Sequence, residues 1–326
     1  MRVGLDVSPL DQTAAGTARY LAQLEQLAGV ELVRLAQHGE GRIATVYRDA
    51  VWYPLVLPRL ARRARVEVLH CPTFRAPLAR PVCPLVVTVH DLAVLRHPET
   101  FNQWTRRYSR LCVPRVARSA RLLIAVSEHT KRELVEVLGT PEERIRVVPN
   151  GVAEVFGPDG PAEPGDYVLA VGTLEPRKNL ARLAEATRRL GVELRIAGGG
   201  GWGRVELGGT GVRVLGRVPD EELARLYRGA RCLAYPSLYE GFGIPIVEAM
   251  ACGAPVVTSR GGATEEVAGG AAVLVDPLDP AAIAAGIEEA AARREQLVPA
   301  GLARARDFSW AETARRTADV YREAAA

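Results

Sequence analysis

The sequence predicts an α/β protein built from two doubly wound parallel-sheet domains, and three observations carry that prediction. Over residues 1–150, short segments that are apolar throughout alternate with helical segments, as in a parallel sheet covered on both faces. The pattern then breaks: Pro149, Gly151, Gly157, Pro158, Gly160, Pro161, Pro164 and Gly165 leave no room for a packed element. The same alternation restarts at residue 167 and runs to 276. A chain of 326 residues holds two cores of ordinary size. The expected layout is a first domain over 1–150, a linker over 151–165, a second domain over 166–308 and a C-terminal helix over 309–326.

Taken in order, the first half reads as strands at 2–7, 66–70, 85–90 and 121–127, most ending in a polar residue, and a last one at 144–148. Helices are expected at 16–27, 55–63, 101–119 and 128–138. In the second half the strands fall at 167–171, 192–197, 212–215, 231–235, 255–259 and 272–276. Helices fall at 179–190, 220–229 and 245–252, a short one follows Gly262, and two Ala-rich ones cover 280–295 and 309–323. Pro245 suits the first turn of its helix, where a missing N–H costs nothing. Ligands of such folds sit at the carboxyl ends of the strands.

Composition narrows the function classes. With 48% hydrophobic and 25% charged residues the chain is globular, and no run of eighteen apolar residues is present to span a bilayer. The opening MRVGLDVSPL enters as a strand, without the basic flank and apolar stretch of a secretory leader, so the cytoplasm is the expected compartment. Five cysteines with no CxxC pair suit a reducing compartment and neither a disulfide framework nor a zinc site. The net charge of +4 is unevenly spread: Arg96, Arg106, Arg107, Arg110, Arg115, Arg118 and Arg121 face Glu99 alone. That run is either a solvated helix face or a surface for anionic lipid head groups at the inner membrane face. No recognition motif or aromatic interleaving points to nucleic acid.

Two stretches carry chemistry. YEGFGIPIVEAMACG (239–253) places Glu240 in a glycine-flanked loop and Glu248 about a turn inside a helix. The backbone N–H groups of Gly241, Phe242, Gly243 and Ile244 lie at that helix's positive end, a geometry that suits a phosphate. AVGTLEPRKNL (170–180) brings Thr173, Arg177 and Lys178 to the end of the second domain's first strand. Lysine occurs only at Lys131 and Lys178 in an arginine-rich chain, so a compact charge looks selected at 178. The plainer readings are surface carboxylates beside a helix dipole and a solvent-facing basic pair. His90-Asp91 reads as a metal pair or a capped strand end, with no second such pair spaced for a metal, and His70, which ends another strand, reads as well for a site residue as for plain structure. GGGGWG (198–203) satisfies G-x-G-x-x-G, but the glycines that follow leave no long helix for a dinucleotide fingerprint.

In this order and spacing, GLDVSPL, GTARY, TVHDLAVLRHP, AVSEHTKREL, VVPNGV, VGTLEPRKNL, LGRVPDEELARLYRGA, YPSLYEGFGIPIVEAMACGAPVV, EEVAGGAAVLVDPLDP and FSW resemble the retaining GT-B glycosyltransferases of family 4 over nearly the whole chain. The closest flavour is the bacterial mannosyltransferase-like subgroup. The resemblance implies two Rossmann-like domains facing across a cleft, with a nucleotide-sugar donor on the second. It places Glu240 beside the donor sugar and the Gly241–Gly243 backbone against sugar hydroxyls and phosphate. It puts Glu248 on the ribose hydroxyls, Arg177 and Lys178 on the diphosphate, and Arg217 and Val218 by the base. From the first domain, Gly16 approaches the diphosphate and His90 borders the donor sugar and the acceptor. Many relatives carry an arginine where this chain has Thr173.

The implied reaction moves a hexose from a nucleotide diphosphate sugar to a hydroxyl acceptor, a sugar, glycan or lipid-linked glycan, in cell-surface polysaccharide synthesis. GDP-mannose is the favoured donor and a UDP-sugar such as UDP-glucose the alternative. No D-x-D pair marks a metal site, so no metal or other cofactor is expected. Arg177, Lys178 and helix N-termini would stabilise the leaving diphosphate. The competing readings are an epimerase or phosphorylase on the same fold and a non-catalytic sugar-nucleotide-binding protein.

Overall fold

The computed structural model describes residues 1–11, 16–24, 29–39, 41–79, 83–200 and 207–326. The chain forms two compact units. One comprises Met1–Pro98, Asn102–Asn150 and Trp310–Ala326, and the other Glu99–Phe101 and Gly151–Ser309.

The first unit holds β1 (Arg2–Asp6), β2 (Glu31–Leu35), β3 (Val68–Cys71), β4 (Leu85–Val89), β5 (Leu122–Ala125) and β6 (Ile145–Val147). They form one parallel sheet in the order β2-β1-β3-β4-β5-β6. Alternation along each strand feeds two cores. Val3, Leu5, Val68, Val86, Leu122 and Ile124 pack under the Gly16–Leu24 helix and the Trp310–Ala325 helix. Leu69, Cys71, Leu85, Val87, Val89, Leu123 and Ala125 point the other way. Both faces are buried, which is why these strands read as apolar throughout.

Several boundaries differ from the sequence expectation. β2 and the Gly41–Tyr47 helix were not anticipated, because β2 is an edge strand carrying Glu31 and Arg34 and lacks the apolar run of a central one. The helix expected at 55–63 is Leu57–Arg63, entered from a π-helical segment, Arg48–Val56, that contains Pro54. The helix expected at 101–119 is Gln103–Ser119; Asn102 starts it by accepting the Thr105 N–H at 2.9 Å. Gly16–Leu24 is helical, and the rest of the helix expected at 16–27 lies outside the described residues.

The second unit holds β7 (Tyr167–Val171), β8 (Glu193–Ala197), β9 (Val212–Gly216), β10 (Cys232–Tyr235), β11 (Val256–Ser259) and β12 (Val273–Val275). Its parallel order is β12-β11-β10-β7-β8-β9, so the chain reverses direction of growth between β7 and β10. Residues 151–165 carry no helix or strand and are held to this unit. The Glu163 N–H reaches the Arg225 carbonyl, and Arg228 donates to the carbonyls of Gly157 and Pro161. Gly201, Trp202 and Gly203 of the GGGGWG run lie outside the described residues.

Candidate active site

In an open parallel sheet the crevice at the reversal point is where loops part and a ligand can enter. In the second unit that point is flanked by the loops after β7 and β10, which carry Thr173–Lys178 and Glu240 respectively.

Local chemistry stitches these two loops together. Gly172 takes a φ of +145°, and Gly198 at the end of β8 approaches so closely that a Cβ there would lie 2.1 Å from the Gly172 carbonyl oxygen. Pro176–Lys178 forms a single 3-10 turn that ends on Asn179, a left-handed residue with φ of +60°. Its side chain makes that conformation tolerable by donating to the carbonyls of Pro236 (3.0 Å) and Pro277 (2.6 Å). The Leu238 N–H adds a bond to the Arg177 carbonyl at 2.8 Å. The helix expected to open near residue 179 therefore begins at Leu180, and Arg177 and Lys178 stand on a pinned turn before it.

The result is a buried charge cluster. Glu240 accepts from Lys178 Nζ at 2.6 Å, from Arg177 Nη1 at 3.1 Å and from the Tyr235 hydroxyl at 2.8 Å. Lys178 also donates to Tyr235 at 2.7 Å, and Arg177 Nε to Glu175 at 2.8 Å. Thr173 closes the ring by donating its hydroxyl to Glu175. Burial opposes the Glu240 charge, but the Lys178 ammonium and Arg177 guanidinium outweigh it and hold the carboxyl at about 2. Burial draws the Lys178 ammonium below its ordinary value, while Glu240 acts in the opposite sense.

Gly243, with φ of +101°, starts the Ile244–Ala251 helix. Gly241, Phe242 and Gly243 are buried beside it. Glu248 lies one turn in, is also buried, and accepts from the Tyr227 hydroxyl at 2.9 Å. Arg217 is exposed and Val218 half-buried, both just past β9, two strands from β7. The fold thus gathers Thr173, Arg177, Lys178 and Glu240 into one cluster and sets Glu248 against the buried Tyr227 hydroxyl. Sequence reading missed Tyr235, Glu175, Asn179 and Tyr227. Glu175 and Asn179 flank the basic pair, and Tyr235 ends the strand before Glu240, so proximity was the available signal.

In the first unit, Gly16 is the first residue of its helix and His90 follows β4. One ring nitrogen of His90 is bonded to the Pro72 carbonyl; Nε2 is buried and has no hydrogen-bond partner among the described residues. Burial pulls the imidazole below its ordinary pKa, so it is neutral, with an unshared Nε2 lone pair. At the end of β1, Asp6 is buried and accepts from the Ser8 N–H at 3.2 Å and the Tyr53 hydroxyl at 3.1 Å. Burial pushes its carboxyl up to about 6. Among the described residues no group of three or more His, Cys, Asp or Glu is placed to hold a metal ion.

The chain is similar to known proteins. Residues 17–154 match the family described as Glycosyltransferase Family 4, and residues 165–293 match Glycosyl transferases group 1. O-antigen chain mannosyltransferase B of Escherichia coli is 33% identical over 342 residues, spanning 94% of this chain and 88% of that protein. The MMP alpha-(1->4)-mannosyltransferase of Mycolicibacterium hassiacum is 32% identical over 300 residues, 81% of this chain and 72% of that protein. Among solved structures, sucrose-phosphate synthase from Thermosynechococcus elongatus has a TM-score of 0.81 at 21% identity, covering 99% of this chain and 98% of that one. Anabaena HepE, solved in complex with UDP-glucose, has a TM-score of 0.75 at 19% identity, covering 99% of this chain and 100% of that one. Both likenesses give the GT-B fold. With mannosyltransferases among its relatives, two doubly wound units and a carboxylate–lysine–arginine cluster at the second sheet's reversal point, this chain belongs to glycosyltransferase family 4 and is a hexosyltransferase.

Proposed function

We propose that the enzyme moves mannose from GDP-mannose to a hydroxyl of a growing cell-surface glycan, with retention at the anomeric carbon and without a metal. The observation that carries this reading is the Glu240–Lys178–Arg177 cluster at the β7/β10 reversal, with Glu248 a short helix away. The mannosyltransferase relatives favour the donor. A UDP-sugar is the second reading, favoured by the UDP-glucose complex of HepE.

In this reading the donor diphosphate takes over the two cations that Glu240 holds at rest. A diphosphate offers them more charge than one carboxylate, and Glu240 is released to accept a hydroxyl of the sugar. Glu248 accepts from the ribose hydroxyls, the base lies by Arg217 and Val218, and the amides of Gly241–Ile244 approach the phosphates. His90 accepts a substrate hydroxyl through Nε2. The acceptor oxygen attacks the anomeric carbon on the face the diphosphate leaves. As the C–O bond to phosphate breaks, the acceptor's proton passes to the departing phosphate oxygen, so no separate base is required.

A thermal-shift screen of nucleotides and nucleotide sugars tests the donor. At 100 times Kd a ligand adds about 2.7 kcal/mol of stability. GDP and GDP-mannose are expected to raise Tm; a response to UDP compounds alone moves the donor to the second reading, and no response to any defeats both. Product anomeric configuration by NMR, in buffer with EDTA, tests retention and metal independence.

The reading includes an anionic lipid surface at the cytoplasmic face of the inner membrane. Arg106, Arg107, Arg110, Arg115 and Arg118 are exposed on the Gln103–Ser119 helix around exposed Trp104 and Leu111, the composition of an interfacial helix. No helix among the described residues is long and apolar enough to cross a bilayer. Co-sedimentation with phosphatidylglycerol vesicles but not with phosphatidylcholine vesicles is expected; equal binding to both defeats it.

A further inference from the structure

The first unit contains a chain of polar groups inside an otherwise apolar layer. Tyr20, His70, Thr88, Thr317 and Tyr321 are all fully buried between the β3–β4 face and two helices. The Tyr321 hydroxyl lies 2.7 Å from His70 Nδ1, and His70 Nε2 lies 2.8 Å from the Thr88 hydroxyl. Thr88 lies 2.9 Å from the Tyr20 hydroxyl, which is also within hydrogen-bonding reach of Thr317.

Counting hydrogens fixes the direction of the chain. Thr317 has one hydroxyl hydrogen and spends it on the Thr313 carbonyl, 2.7 Å away. Tyr20 must therefore donate to Thr317, and its oxygen accepts from Thr88. Thr88 has then used its hydrogen, so it accepts from His70 Nε2–H. His70 is neutral, since burial takes its imidazole down to about 3, so Nδ1 carries a lone pair and accepts from Tyr321. In this order every hydroxyl and imidazole hydrogen of the chain has an acceptor, whereas in the reverse order the Tyr321 hydrogen would have none among the described residues, so His70 is the Nε2–H tautomer.

The chain ends against His90. The Tyr20 ring meets the His90 ring edge-on, with centroids 5.1 Å apart and planes at 85°. His90 follows Thr88 by two residues, just past the end of β4. His90 is bonded to the Pro72 carbonyl by a ring nitrogen that is not Nε2, so it is the Nδ1–H tautomer, opposite to His70.

We propose that the C-terminal Trp310–Ala325 helix positions His90 through this chain: Tyr321, His70 and Thr88 lock the Tyr20 hydroxyl, and the Tyr20 ring fixes the imidazole with its Nε2 lone pair turned toward a substrate hydroxyl. Tyr321, His70, Thr88 and Tyr20 are thus positioning residues, and the step to substrate rests on the role given to His90 above. Apolar side chains of the same shape would fill this layer with no loss of stability, because a buried hydrogen bond gains little over a well-packed hydrocarbon. What a fully satisfied chain adds is a single orientation. It also gives the last helix a task in the first unit's chemistry.

The test is long-range proton–nitrogen NMR on protein labelled with nitrogen-15 histidine, where five histidines make assignment practical. His70 is expected as Nε2–H and His90 as Nδ1–H. Finding His70 as Nδ1–H in the unmodified protein overturns the proposal before any variant is made. Tyr321→Phe and, independently, Tyr20→Phe are expected to shift the His90 nitrogens or mix its tautomers, although among the described residues the hydrogen-bond partner of the Tyr321 hydroxyl is His70. Both are expected to lower kcat by about tenfold, the size of one misaligned hydrogen bond in a transition state, with donor KM within about twofold. His90 signals unchanged in both folded variants overturn the proposal, whatever happens to Tm. The NMR result does not depend on turnover: if no nucleotide sugar binds, the proposed function fails while the tautomers still decide the chain.

Discussion

Two buried polar clusters, one in each unit, hold their members by different physics. In the second unit, Glu240, Lys178 and Arg177 are charged and satisfy one another across 2.6–3.1 Å. In the first, Tyr321, His70, Thr88 and Tyr20 are neutral and satisfy one another through a single relay of hydrogens. A charged cluster attracts a charged ligand and is exchanged when one arrives, whereas a neutral relay has nothing to exchange. The first suits binding and leaving-group stabilisation, and the second suits orientation.

The largest effect that separates them comes from deleting a charge. Lys178→Ala is expected to lower kcat by a factor of about 100 to 1,000, the loss seen when one group stabilising developing charge is removed. Steady-state kinetics check this, and a loss under tenfold would remove Lys178 from the reaction. Stability gives the next contrast. Lys178→Met leaves Glu240 with Arg177 as its one cation beside the Tyr235 hydroxyl and should destabilise by about 2–3 kcal/mol, whereas adding Glu240→Gln should restore much of that. Urea unfolding of the two singles and the double reads the coupling, and simple additivity would mean the pair is not coupled.

Acid distinguishes the clusters by window. Depressed pKa values in the fold give stability that is present above the unfolded value and lost as pH falls through the folded one. For His70 that loss starts near 6.5 and continues to about 3. For Glu240 it starts near 4.5 and continues to about 2. Between pH 6.5 and 4.5 the fall in Tm is therefore expected to belong to the first unit, and His70→Gln should flatten it; an unchanged slope would contradict the buried neutral imidazole. The smallest effect has the opposite sign. Asp6 has a raised pKa, so its contribution is full below about 3.8 and lost as pH rises through about 6. Asp6→Asn is expected to be more favourable at pH 7.5 than at pH 4 by about 2 kcal/mol, measured by urea unfolding at both.

Much of this was legible before the fold was known. Both parallel sheets were readable because central strands buried on two faces must be apolar throughout, as β4 (LVVTV) and β10 (CLAY) are. β2 was not, since an edge strand with Glu31 and Arg34 follows no such rule. Glu240, Glu248, Arg177 and Lys178 were found from their spacing to glycine turns and helix starts, which are local features. Their partners were not: Tyr235 reads as the end of a core strand and Tyr227 as a helix core residue, and nothing local says which hydroxyl meets which carboxylate.

The sequence by itself determined the class of fold, the family resemblance and the residue types able to hold a sugar nucleotide, because these rest on periodicity, breakers and short-range spacing. Tertiary structure alone decided that Arg177 and Lys178 are engaged by Glu240 at rest, because residues about sixty positions apart meet only where β7 and β10 lie side by side. It also decided that His70, whose place at a strand end left its role open, is joined to Tyr321 across 251 positions. Such pairings depend on which strands neighbour one another and which helix returns to cover them, and that is set by burial over the whole chain.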